Sequence, residues 1–209
     1  MCHAGTNPSY RIVQGEPVPI YLLPLLAPVL LMIGAAICFL NPGRRPRFSL
    51  KLAEAAASAA ILVAMAATAL LILKGTGGSP LIGQYGIGFS IRLDAVSASM
   101  LLLVSFIGWV VVRYAATYLD GEARQGAFMG WLCLTLAFVL LLVLAGNLVQ
   151  LVAAWMFTSL SLHRLLLFYP DRVAAQRAAR KKFVTARVGD LALVGATAIL
   201  ALGYGTTDI

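Results

Sequence analysis

His163, Arg187 and Asp190 are the residues whose types and spacing could do chemistry. All three sit in otherwise apolar runs, where an ionisable side chain is costly and marks either a working site or a buried pair. His163 belongs to WMFTSLSLHRLLLFY (155–169), and Arg187 and Asp190 belong to KKFVTARVGD (181–190). Helical spacing aligns Met156, Ser159 and His163 on one face and makes Arg187 and Asp190 i,i+3 neighbours. Two roles fit Arg187 and Asp190: an ion pair that stabilises packing, or a hydrated relay that passes protons. For His163 the choice is between an interhelical hydrogen bond and a proton carrier, since its ordinary pKa is about 6.5. Arg164 and Glu54 are weaker candidates. Arg164 is expected to snorkel to the cytoplasmic interface. Glu54 follows Lys51 by three residues, which fits a surface pair, with proton carrying as the alternative.

The elements that must hold these residues are membrane helices. The chain is 209 residues long, 61% hydrophobic and only 11% charged. Its apolar runs are long enough to cross a hydrocarbon core of about 30 Å. Continuous apolar runs exclude a barrel, whose strands alternate. The fold class expected is all-α, a polytopic helix bundle with six spans at about 18–40, 52–74, 93–117, 126–145, 147–169 and 183–204. A polar tail (1–17) precedes them, and the first apolar run is read as a retained helix because it is too long for a signal-peptide core. Pro24 and Pro28 should bend the first span near its start. The small residues of LAEAAASAA (52–60) let a neighbouring backbone come close. The Gly-rich stretch 75–92 predicts a hairpin or extended loop, and Asp94 a helix cap. Residues 170–182 predict a short interfacial helix bearing Arg172, Arg177 and Arg180.

Charge sets the orientation. The net charge is +8, and 13 of the 16 Lys and Arg lie at the loops after spans 1, 3 and 5. The positive-inside rule then puts both termini outside the cytoplasm. Basic residues placed this way set topology and touch anionic lipid headgroups, so nucleic acid is not the expected partner. The three cysteines (Cys2, Cys38 and Cys133) have no metal-ligand spacing, so neither a disulfide nor a zinc site is expected. No Cys cluster, haem ligand pair or dinucleotide motif is present, so no cofactor and no redox or hydrolytic activity is expected of this chain.

Ordered motifs from Ile91 to Asp190 resemble the antiporter-like superfamily, which includes the proton-pumping membrane subunits of respiratory complex I (its subunit 5 among them) and cation/proton antiporters. They are IRLDAVSASMLLLVSFIGWVV, RYAATYLDGEARQGAF, LLLVLAGNLVQLVAAW and KKFVTARVGD. Within it, TSLSLHRLLLFYPDR followed by AARKKF resembles the membrane subunit of the DAB inorganic-carbon accumulation system. The resemblance divides the chain into the tail, two spans with an extracytoplasmic loop (18–92), and four spans like the N-terminal part of the antiporter-like domain (93–209). It implies an ion-translocating, energy-coupling subunit of a bicarbonate or CO2 uptake pump in the cell inner membrane. Its implied partner is a carbonic-anhydrase-like zinc protein on the cytoplasmic side, for which 41–51 and 170–182 could offer a basic docking surface. The alternatives are a subunit of an NADH:quinone oxidoreductase or of a multisubunit Na+/H+ antiporter, and a non-transporting fragment. Complex I members carry a Glu at the position of Met156, which works with a Lys on a later helix. Met156 cannot hold a proton, and His163 lies on its face about 10 Å towards the cytoplasm. His163, with Arg187 and Asp190, is expected to take over that titratable role. Family members usually run to a dozen or more spans in inverted repeats. The expectation is therefore a piece of a longer protein, or a chain that needs a second polypeptide for the remaining helices.

Overall fold

A computed structural model describes residues 19–43, 46–79, 82–84, 87–169 and 173–204. The tail with Cys2 and Arg11, the basic residues Arg44, Arg45 and Arg172, and the closing GTTDI lie outside the described residues. The order is a 3-10 helix (Pro19–Leu25), α1 (Leu26–Leu40), α2 (Arg47–Lys74), β1 (Gly77–Gly78), β2 (Ile82–Gln84), β3 (Ile87–Phe89), β4 (Arg92–Leu93), α3 (Ala95–Tyr118), α4 (Gln125–Val143), α5 (Leu148–Leu166) and α6 (Val173–Tyr204). Pro24 and Pro28 lack the N–H that an α-helix needs. Accordingly the first span begins as a 3-10 helix around Pro24 and turns α-helical after it.

Five of the six predicted spans are long and apolar enough to cross a membrane. The exception is α5, which has 19 residues but carries Gln150, Thr158, Ser159, Ser161, His163 and Arg164. At about 1.5 Å per residue it still has the length to cross, and its polarity marks it as the helix with partners to satisfy. A second difference concerns residues 173–182. They form no separate interfacial helix but the first turns of a continuous 32-residue α6. No Gly or Pro interrupts the chain between Val173 and Val188, so nothing stops the helix there.

Helices α1 to α4 make the packed body. Ala53, Ala56, Ala57, Ala60, Ala64 and Ala67 line the buried face of α2, which packs on α1 and α3. The small-residue stretch thus works as its sequence suggests. The closest approach is at Gly126, the second residue of α4. A Cβ there would lie 2.1 Å from the Asn41 carbonyl oxygen at the end of α1, so only glycine lets these two helix ends meet. Asp94 caps α3: its carboxylate accepts from the Ser97 amide at 2.7 Å, and the Ser97 hydroxyl accepts from the Asp94 amide at 2.8 Å.

Within the 75–92 stretch β2 is antiparallel to β3 and β1 antiparallel to β4, which favours the hairpin over the extended loop. It docks on the α4–α5 turn through buried polar residues. Asn147 caps α5 by accepting from the Gln150 amide, and its Nδ2 donates to Ser90 Oγ at 3.0 Å. Gln150 Oε1 accepts from the Ser90 amide at 3.0 Å. The Gly146 amide donates to the Ser90 carbonyl at 2.9 Å, and a Cβ on Gly146 would lie 2.7 Å from Ser90 Oγ. This latch fixes where α5 begins, and α5 in turn carries α6.

Candidate functional site

α5 and α6 lie antiparallel in a matched register. The His163 ring on α5 is 4.7 Å from the Phe183 ring on α6. One turn back along α5, Ser159 Oγ accepts from Arg187 Nη2, one turn on along α6, at 3.5 Å. The same register sets Met156 level with Asp190. Each turn of one helix is matched by a turn of the other in the opposite sense, which the short connection between them favours.

Asp190 is 3% exposed, and its Oδ2 lies 2.6 Å from Arg187 Nη2. The contact is an ion pair off the line that a hydrogen bond requires. Arg187 Nε and Asp190 Oδ1 have no hydrogen-bond partner among the described residues, and neither has His163 Nδ1. A buried polar atom left unpaired costs about 1–3 kcal/mol. Such atoms concentrate in this seam: of six in the described residues, four belong to these three side chains. The Arg187 guanidinium also lies over the Phe183 ring, with Cζ 5.0 Å from its centroid. The seam therefore holds a titratable imidazole, an aromatic ring, a guanidinium and a buried carboxylate in sequence. An imidazole and a carboxylate can each bind and release a proton.

The structure brings together His163, Arg187 and Asp190 and leaves the weaker candidates apart. The Arg164 guanidinium lies over the Trp131 ring of α4, 5.9 Å from its centroid, so it faces away from the seam. Glu54 lies on α2, and no ion pair joins it to Lys51 among the described residues; its carbonyl accepts from Ser58 Oγ. Phe183 was absent from the expected site, although its place one turn before Arg187 puts it on the same helix face. Among the described residues no group of three or more His, Cys, Asp or Glu side chains could hold a metal ion.

Residues 80–129 match the family described as NADH-Ubiquinone oxidoreductase (complex I), chain 5 N-terminus. The chain is 41% identical over 117 residues to the probable inorganic carbon transporter subunit DabB of Hydrogenovibrio crunogenus, a match covering 56% of this chain and 23% of that protein. It is 35% identical over 127 residues to NADH-quinone oxidoreductase subunit L of Escherichia coli, covering 61% of this chain and 21% of that one. In fold it is similar to a chain of the membrane-bound sulfane sulfur reductase, an archaeal respiratory membrane complex. There the TM-score is 0.74 at 18% identity over 90% of this chain and 28% of the other. The chain spans about a quarter of the length of these curated relatives. The apolar helices and the membrane relatives make it a multi-pass membrane protein. In its motifs, relatives and helical architecture, the chain fits the complex I subunit-5-like superfamily and is similar to the N-terminal region of its members.

Proposed function

We propose that this chain is the ion-translocating, energy-coupling membrane subunit of an inorganic carbon uptake pump that handles bicarbonate or CO2. The observation that carries the ion-coupling part is the buried Arg187–Asp190 pair, set across the α5–α6 seam from Ser159 and one turn from His163. Ionisable groups at such depth are retained where an ion pathway uses them. Similarity to the Hydrogenovibrio carbon transporter subunit supports inorganic carbon as the substrate. In this reading H+ or Na+ flows past His163, Arg187 and Asp190, and the flow drives carbon hydration in one direction.

The partner in this reading is a carbonic-anhydrase-like zinc protein on the cytoplasmic face. The membrane is the inner membrane, with both termini outside the cytoplasm, as the Lys and Arg distribution argues. Affinity purification from native membranes tests the assignment: a zinc protein with CO2-hydrating activity should co-purify, and its absence would sink the reading. Similarity to Escherichia coli subunit L favours a second reading, a proton-translocating subunit of an NADH:quinone oxidoreductase. Deleting the gene separates the two. Loss of quinone-dependent proton pumping with carbon uptake intact supports the second reading, and the reverse supports the first.

A further inference from the structure

We propose that Phe183 is the gate of the α5–α6 seam: its ring holds His163 apart from the Arg187–Asp190 pair, and its displacement lets water join them. The gate regulates the site proposed above and rests on that reading for its purpose. Its physical basis is independent of what is transported.

The Phe183 ring touches polar groups of both helices. The His163 ring approaches at 4.7 Å with the planes 39° apart. The Arg187 Cζ approaches at 5.0 Å from the ring centroid, and that guanidinium holds Asp190. A phenyl ring neither donates nor accepts a hydrogen bond along its edge, so no hydrogen-bonded chain runs through it. The side chains it touches, and Asp190 paired with Arg187, carry buried atoms that lack partners among the described residues: His163 Nδ1, Arg187 Nε and Asp190 Oδ1. Buried polar atoms in a polar, roomy site are what ordered water satisfies. Moving one ring opens room between them. Phe183 is only half-buried, so its ring is not locked in on every side.

What seats the ring is its π-face. The guanidinium over it is attracted by the ring quadrupole, which an aliphatic side chain of similar bulk cannot supply. This gives the gate a signature that simple space-filling lacks: an aromatic replacement keeps the seam closed and an aliphatic one opens it.

The test is carbethoxylation of His163 by diethylpyrocarbonate, with the rate read on the His163 peptide by mass spectrometry. The full-length protein stays in native membrane vesicles with its partners. Phe183→Leu should raise the His163 rate about tenfold, as expected when a closed local state is opened. Phe183→Tyr should stay close to the unaltered protein, and so should Val184→Ala on the exposed side. Phe183→Met gives a second aliphatic arm if Phe183→Leu does not insert. An unchanged rate in the aliphatic variants overturns the proposal. Equal acceleration in the Tyr or Val184 variants also overturns it, because general loosening then explains the change. Labelling requires no transport, so the gate can fail while the ion-coupling reading stands. That reading fails separately, if His163→Ala leaves carbon uptake untouched.

Discussion

Arg187 Nη2 on α6 donates to Ser159 Oγ on α5 at 3.5 Å while lying 2.6 Å from Asp190 Oδ2 on its own helix. One nitrogen thus ties the buried carboxylate to its own helix and α6 to α5. Around this point the seam has the groups that the proposed ion pathway would use and the contacts of a structural joint, and the two roles can be separated.

Removing one partner of the pair should cost stability. Arg187→Met leaves the buried Asp190 carboxylate unpaired, at a cost of about 3–5 kcal/mol, and Asp190→Leu strands the guanidinium at a smaller cost because Arg187 is partly exposed. The double variant should recover most of that loss, which thermal unfolding in detergent measures. Carbon uptake should not recover with it. A double variant that both folds and transports would leave the pair a purely structural role.

His163→Ala should reduce carbon uptake in the complete system by about 10²-fold and alter its pH dependence, the lower end of what a positioned acid–base group contributes. Uptake measured with labelled bicarbonate across a pH series checks this. An unaltered rate and profile would remove His163 from the pathway.

Gly126→Ala should prevent normal folding, because a Cβ at that position would lie 2.1 Å from the Asn41 carbonyl oxygen. Gly195→Ala on α6 meets nothing within 4 Å. It should be neutral or stabilising by up to about 1 kcal/mol through helix propensity. The two melting temperatures in detergent, compared with that of the unaltered protein, decide the matter.

Gln150→Leu should loosen the hairpin, since it orphans the buried Ser90 amide that Gln150 Oε1 accepts from at 3.0 Å. The expected cost is about 1–3 kcal/mol. Hydrogen exchange at Ser90 should accelerate while the amides of α2 stay protected. Unchanged exchange at Ser90 would mean that the Asn147 contact alone holds the latch.

Much was legible from the sequence. Apolar run length dictated the helices, because backbone polar groups in lipid must be satisfied within each segment. Gly, Ser and Pro composition marked the 75–92 hairpin, and Asp94 its following cap. Helical periodicity paired Arg187 with Asp190 and aligned Ser159 with His163. The same run-length logic overstated α5, whose polar residues lower its hydropathy, and it set off the basic stretch as a separate helix where residues 173–182 are the first turns of α6.

What only the tertiary structure decided is the offset between helices. Periodicity says which residues share a face, but the axial register of two packed helices follows from how their side chains interlock. That register placed Phe183 against His163 and Arg187 against Ser159. It also turned Arg164 towards Trp131 and away from the seam. The sequence by itself determined that ionisable residues sit in the membrane on these two helices. Packing determined that an apolar ring, Phe183, touches both His163 and Arg187.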